Sequence, residues 1–101
     1  MLTLNDIDLI EGEITCTNLE YYSAMQRAIN SGMAWKMQGS YGRAAMEALS
    51  SGFCMLGREQ SRDYYGNTIP SRDDVAPGTK GSKKLVIDNH GRAWAKKMEA
   101  I

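Results

Sequence analysis

Two glycine-bearing segments contain the residue types that bind anions. The segments "QGSYGR" at 38–43 and "PGTKGSKK" at 77–84 each place glycines, a hydroxyl and a cation at the expected start of a helix. Free backbone N–H groups at such a position can bind a phosphate. The candidate anion-binding residues are Gly39, Ser40, Arg43, Gly78, Thr79, Gly81 and Ser82. Neither segment contains GxxxxGK[ST], and helix caps and turns have the same composition, so a purely structural interpretation stays open.

The residue types needed for catalysis are sparse. His90 is the single histidine, and nothing around it places a nucleophile, so we interpret it as a polar residue at a helix joint. One histidine with Cys16 and Cys54, two distant thiols, does not make a tetrahedral metal site. Asp73 and Asp74 are interpreted as acids in the first turn of a helix, because adjacent helical residues do not face each other. We therefore expect neither an enzyme nor a bound metal or cofactor.

The aromatic and methionine content indicates a surface for another protein. The chain has five tyrosines, two tryptophans and seven methionines. Tyr21-Tyr22 and Tyr64-Tyr65 are adjacent pairs, so on a regular element one tyrosine of each pair tends to face outward. Exposed tyrosine with arginine and methionine is typical of interface cores. Alternatively, the methionines fill gaps in a thin core. The predicted partner-binding residues are Tyr64, Tyr65, Arg72, Lys80, Lys83 and Lys84.

Length and composition indicate one folded domain over residues 1–101. The chain is 43% hydrophobic and 24% charged, which is ordinary for a globular protein. A domain of this size buries roughly 60–70% of its unfolded surface, so formation of a homodimer would add to a thin core. No apolar run approaches the roughly 18 residues of a membrane span, and the N-terminus lacks the pattern of a signal peptide. With two isolated thiols, we expect a cytoplasmic protein with reduced cysteines and no membrane partner.

The net charge is zero but unevenly distributed. Residues 1–57 contain six acids and three bases, whereas residues 58–101 contain six acids and nine bases. Such a dipolar molecule could dock on a charged partner or pair head to tail with itself; a solvated basic helix is the alternative. The C-terminal cations do not form one stripe on an ideal helix. We therefore expect no nucleic-acid partner, and a DNA-binding regulator is the least favoured function.

Capping residues and glycines predict where the helices begin and end. Thr3 can cap a short element that Gly12 ends, and Thr17 or Asn18 can begin a helix over 18–30. Ser40 can cap a helix over 40–51. The apolar spacing in 18–30 leaves Glu20, Gln26 and Arg27 facing outward. Thr79 or Ser82 can begin a last helix that Asn89-His90-Gly91 interrupts.

These patterns predict a mainly α fold of three to four helices with one long ordered loop over 57–80. A loop of this length in a compact domain is usually functional or disordered, and its spaced apolar residues favour an ordered, functional one. A two-stranded element is predicted near 13–17 or 64–69. The expected core consists of Leu19, Tyr22, Met25, Ile29, Leu49, Phe53, Leu56, Leu85 and Trp94.

Two segments carry a resemblance to a known group of proteins. "AINSGMAWKMQGSYGRAAMEAL" and "RDYYGNTIPSRDDVAPGTKGS" resemble small hypothetical accessory proteins of tailed phages and prophages of Gram-negative bacteria, over about residues 19–86. The resemblance implies a setting in the host cell and assigns no activity. Small phage proteins of this kind often bind and block a host protein, including components of immune systems such as CRISPR–Cas.

Two functions from different classes follow. The first is a non-enzymatic accessory protein that binds a host or phage protein and inhibits or redirects it. The second is a small module that binds a phosphate-bearing molecule such as a nucleotide. Capture of a stoichiometric protein partner would favour the first, and a thermal shift with nucleotides would favour the second.

Overall fold

The protein is mainly helical, as the sequence predicts. The computed structural model describes residues 3–12, 15–37 and 39–101, and these residues form five helices and one two-stranded sheet. The radius of gyration of 12.4 Å is that of a single domain of about 100 residues. The elements are α1 (Leu4–Glu11), α2 (Asn18–Asn30), α3 (Met33–Lys36), α4 (Gly39–Ser50), β1 (Ser61–Arg62), β2 (Thr68–Ile69) and α5 (Lys83–Glu99). The helix beyond the predicted three to four is the single turn α3.

Local capping explains the helix boundaries. Thr3 and Asp6 form a capping box at the start of α1, and Thr17 and Glu20 form one at the start of α2. Ser82 caps α5 by accepting a hydrogen bond from the Leu85 N–H. The helix α5 contains a non-helical residue at Gly91, which confirms the predicted interruption.

Helices α1 and α2 are joined by an ion pair that the helical spacing did not predict. Asp6 is 2% exposed, and its carboxylate accepts hydrogen bonds from Arg27 Nε at 2.9 Å and Arg27 Nη2 at 2.6 Å. The Arg27 guanidinium is the largest influence on Asp6 and lowers its pKa. The prediction that Arg27 faces outward is therefore wrong, because the face of α2 that contains it packs on α1.

The core contains a polar bridge where the sequence predicts an outward side chain. Gln26 is fully buried; its Nε2 donates to the Met55 carbonyl at 2.8 Å, and its Oε1 accepts from the Met55 N–H at 2.9 Å. These two hydrogen bonds satisfy the buried backbone groups of Met55 and the buried amide of Gln26 at the same time. Buried polar groups in folded proteins nearly always have such partners. Gln26 thereby fixes the segment 54–57, the central connection, against α2.

The rest of the core agrees in part with the expected list. Four expected residues are buried: Met25, Ile29, Leu49 and Leu56. The other five, Leu19, Tyr22, Phe53, Leu85 and Trp94, are half-buried. Two of these, Tyr22 and Phe53, stack at 4.2 Å. Buried residues missing from that list include Cys54, Met55, Val86 and Met98, and two of these four follow Phe53 directly.

The long loop is folded onto the body of the protein. The strands β1 and β2 pair antiparallel, with Ser61 opposite Ile69, close to one of the two predicted positions. Of the other predicted position, residues 13–14 lie outside the described part of the chain, and residues 15–17 form no strand. Ile69 in β2 and Val75 after the hairpin pack against the core, as expected of residues that anchor the loop. The same expectation is wrong for Tyr64 and Tyr65, which are exposed because the hairpin turns them to solvent.

Candidate functional site

A groove separates the hairpin from α3 and α4. Its volume is about 760 Å³, which is in the range of sites that hold a small ligand or a few side chains. We call it the tyrosine groove. Its lining consists of Ala34, Trp35, Lys36, Met37, Gly39, Gly42, Arg43, Met46, Asp63, Tyr64, Tyr65 and Ile69.

The floor of the tyrosine groove is apolar and built by helices. Trp35 is 8% exposed and belongs to the core, as Ala34 does, so this part of the floor is rigid. Met46 on α4 is 40% exposed and offers a flexible, polarizable side chain to an occupant. The groove therefore combines a fixed aromatic base with an adaptable wall.

The opposite wall is formed by the two adjacent tyrosines of the hairpin. Tyr64 is 75% exposed and Tyr65 is 85% exposed, and their rings meet edge to face with centroids 5.4 Å apart. The backbone N–H of Tyr64 donates to the Trp35 carbonyl at 3.1 Å. That bond holds the base of the wall against α3 while both phenol rings remain open to solvent.

The hairpin tip is closed by its own aspartate. The Asp63 carboxylate accepts from the backbone N–H groups of Tyr65 and Asn67 at 2.9 and 2.8 Å, and from Asn67 Nδ2 at 3.2 Å. Desolvation would by itself raise the Asp63 pKa, but the hydrogen bonds together outweigh it and lower the pKa. The Asp63 carboxylate therefore stabilises the conformation of the hairpin tip, and its hydrogen bonds are made within the hairpin.

The helix side of the groove is cationic. Lys36 in α3 and Arg43 in α4 are exposed and line it, and neither belongs to an ion pair with a described residue. The first turn of α4 contains no acid, and the Arg43 guanidinium lies close to Gly39 in that turn. A cation at a helix N-terminus is unfavourable with the helix dipole, so the rim favours a negatively charged occupant.

The structure divides the predicted site residues between two places. Tyr64 and Tyr65 share the tyrosine groove with Gly39 and Arg43, which the sequence had assigned to a separate anion site. The remaining predicted residues, apart from Ser40 in α4, lie in the second part of the loop and at the start of α5. Sequence reasoning missed the groove floor, especially Trp35 and Met46, because no local pattern shows that they face the same cavity as the hairpin.

Several predicted residues have structural tasks at the start of α5. The Ser82 hydroxyl donates to the Thr79 carbonyl and accepts from the N–H groups of Gly78 and Leu85. The Thr79 hydroxyl donates to the Ala76 carbonyl, and Gly81 is packed against Leu56. These groups are used by the fold itself, which supports the alternative interpretation of "PGTKGSKK" as a cap and turn.

Ser40 also differs from its expected place. The helix α4 begins at Gly39, so Ser40 lies inside the first turn rather than at the cap. Residue 38 lies outside the described part of the chain.

Arg72 is buried, contrary to its expected place on a binding surface. It is 8% exposed, and its Nε donates to the Leu56 carbonyl at 2.7 Å. Its backbone N–H donates to the Gly57 carbonyl at 2.9 Å. Arg72 fastens the loop to the central connection, because a guanidinium can satisfy a backbone carbonyl that the loop covers.

The three predicted lysines differ in their surroundings. Lys80 is exposed. Lys83 pairs with Glu99, and Lys84 pairs with Asp88 one helical turn away. The two pairs lie at the surface, where each contributes little to stability.

His90 has packing contacts that fit its interpretation as a residue at a helix joint. Its ring stacks on Phe53 with centroids 3.7 Å apart, and its Nε2 lies 3.0 Å from the Ser51 carbonyl oxygen. In the described ranges, no group of three or more histidine, cysteine or acidic residues is placed to hold a metal ion. Cys16 and Cys54 are free thiols, and burial raises the pKa of Cys54.

Comparison with known proteins identifies a family. The chain belongs to the family described as "Domain of unknown function (DUF7417)", whose model matches residues 6–62. The match runs from within α1 to the end of β1, so it includes the helix side of the tyrosine groove and stops before Tyr64. No curated protein and no solved structure matches the chain. Among the described residues, no helix has the length and apolar character needed to cross a membrane.

Proposed function

We propose that this protein is a non-enzymatic binding protein that docks on another protein through the tyrosine groove. One observation carries the proposal: Tyr64 and Tyr65 are 75% and 85% exposed beside an apolar groove. Large aromatic side chains are usually buried in a monomer, and tyrosines beside a pocket are typical of the residues that dominate interface energetics.

The groove favours a partner segment of definite chemistry. An aliphatic or aromatic side chain would enter between the tyrosine rings and the floor at Trp35 and Met46. Acidic residues that flank it would face Lys36 and Arg43, which have no described counter-ion. Opposite charges on the two surfaces would steer association and select against basic partners.

The resemblance to phage and prophage accessory proteins supports a setting for this binding. In that setting the partner is a bacterial host protein, which the bound protein inhibits or redirects. A component of an immune system such as CRISPR–Cas is one example. This part of the proposal rests on the resemblance and not on the groove.

The test uses a displayed library of random peptides selected on the immobilised protein. We expect the enriched peptides to contain an aliphatic or aromatic residue flanked by aspartate or glutamate. Tyr64→Ala and Tyr65→Ala should each weaken the best peptide at least tenfold, since central interface tyrosines commonly contribute 2 kcal/mol or more.

Matched controls separate binding in the groove from nonspecific hydrophobic binding. Leu4 is 80% exposed on α1, and Leu4→Ala removes an exposed apolar side chain that does not line the groove. It should leave peptide affinity unchanged, whereas Arg43→Glu should weaken acidic peptides. Equal losses in Leu4→Ala and Tyr64→Ala, or selection of basic peptides, would refute the proposal.

A further inference from the structure

A second concavity lies between the loop and the end of α5, away from the tyrosine groove. Its volume is about 510 Å³, and its lining includes the three cationic side chains Arg58, Arg72 and Lys96. Asp73 and Glu99 complete the polar lining. We call this concavity the basic pocket. It shares no lining residue with the tyrosine groove.

The buried guanidinium of Arg72 has no described counter-ion. Its hydrogen bonds go to the Leu56 carbonyl and, at 3.4 Å, to the Asn30 amide oxygen. Neither acceptor is charged, and none of the ion pairs among the described residues includes Arg72. A cation withdrawn from water without an anion is costly, so the site is electrostatically incomplete.

A second guanidinium increases this imbalance. Burial lowers the Arg72 pKa, the positive charge of Arg58 lowers it further, and the opposing charges of Glu99 and Asp73 only partly offset these two effects. The Arg58 Nη2 donates to the Glu99 backbone carbonyl, which holds Arg58 at the edge of the pocket. Two like charges are therefore fixed beside one another, an arrangement that an anion between them would relieve.

The acids of the pocket do not cancel this charge. Glu99 is already neutralised by Lys83, whose Nζ lies 3.0 Å from Oε1 and 2.9 Å from Oε2. Asp73 is exposed and belongs to no ion pair with a described residue. The three cations therefore face one unpaired carboxylate, and the pocket retains a positive field.

We propose that the basic pocket binds the phosphate group of a small soluble ligand, with Arg58 and Lys96 at its rim and Arg72 at its base. Guanidinium groups match the spacing of phosphate oxygens, and an ammonium group supplies a further point charge. The pocket volume fits a ligand of the size of a sugar phosphate or a mononucleotide. This site is independent of the proposed protein-binding function.

The first test follows thermal unfolding with inorganic pyrophosphate as the probe, at constant ionic strength set with sodium chloride. At ten times its dissociation constant, pyrophosphate should raise the melting temperature by about 6 °C. The variants are Lys96→Gln and Lys97→Gln, which remove neighbouring exposed lysines from the last turn of α5. Only Lys96 lines the pocket, so Lys96→Gln should weaken binding about fivefold and Lys97→Gln should not.

The second test locates the bound anion by NMR of the arginine side chains. We expect the Arg72 Nε–H signal to shift with pyrophosphate, because Arg72 lines the pocket and an anion on its guanidinium would perturb this group. Tyr64→Ala should leave these shifts unchanged, which separates this site from the tyrosine groove. Equal weakening by Lys96→Gln and Lys97→Gln would indicate diffuse attraction and overturn the proposal, as would no thermal shift or NMR shifts confined to Arg43.

Discussion

The two halves of the long loop share several residue types but differ in how deeply their side chains are buried. The first half, residues 61–69, forms the hairpin and turns its two largest side chains outward. The second half, residues 70–82, buries Ser71, Arg72 and Ser82. Glycine, aspartate, serine and arginine occur in both halves, whereas both prolines lie in the second half. The residue types that the halves share therefore do not explain the difference.

The difference lies in the reach of the hydrogen bonds. The hairpin tip is closed within four residues by Asp63, and the one long-range bond of the tip described above is that of the Tyr64 N–H to the Trp35 carbonyl. The second half bonds to the central connection, through Arg72 N–H to Gly57 and through Gly81, whose carbonyl accepts from the Leu56 N–H at 3.0 Å. Local closure leaves the hairpin side chains free for a partner, whereas long-range closure makes the second half part of the core.

Two left-handed glycines, one in each half, provide the largest expected contrast. Gly66 has φ 83° and open space around it, whereas Gly81 has φ 93° and a Cβ built there would lie 2.5 Å from Leu56 Cδ1. Gly66→Ala should cost about 1 kcal/mol of unfolding free energy, from backbone strain alone. Gly81→Ala should cost about 3 kcal/mol, because overpacking is added. Urea unfolding measures both values; equal losses would break the comparison.

Two arginines give the next contrast. Arg72→Met keeps the apolar stem but leaves the covered Leu56 carbonyl unpaired, which should cost about 2 kcal/mol. Arg62 is exposed and donates from Nη1 to the Gly66 carbonyl at 2.9 Å. Arg62→Met should cost about 0.5 kcal/mol or less, since water replaces that bond. Thermal unfolding of both variants measures these losses. If Arg72→Met left the free energy of unfolding unchanged, the desolvation cost of Arg72 would equal the gain from its hydrogen bonds, and the predicted contrast would be wrong.

Acid should loosen the hairpin tip without releasing the second half at Arg72. The Asp63 pKa is lowered below its ordinary 3.8, so its bonds stabilise the tip above that pH and are lost as the pH falls through the lowered value. Hydrogen exchange of the Tyr65 and Asn67 amides, corrected for intrinsic rates, should then accelerate. Exchange of the Arg72 amide should not change, because its acceptor is the Gly57 carbonyl. Asp63→Asn should show fast exchange at the tip already at neutral pH.

The helical part of this fold follows from short-range signals. Thr3 with Asp6 and Thr17 with Glu20 are capping pairs three residues apart, and Gly12 ends the first helix in a left-handed conformation. Such signals act within one turn, so the sequence alone determines the starts of α1 and α2 and the mainly helical class. The adjacency of Tyr64 and Tyr65 predicted that one of the two rings faces outward, and the structure exposes both.

Tertiary structure decided which polar residues are buried and which segments form a site. Gln26 bonds to Met55, 29 residues away, and Arg72 bonds to Leu56, 16 residues away. No local pattern encodes such partners, and the helical spacing around Gln26 even indicated solvent. The tyrosine groove likewise exists because the Tyr64 N–H reaches the Trp35 carbonyl. These polar groups can be buried because hydrogen-bond partners distant in sequence lie beside them, and only the packed chain brings such partners together.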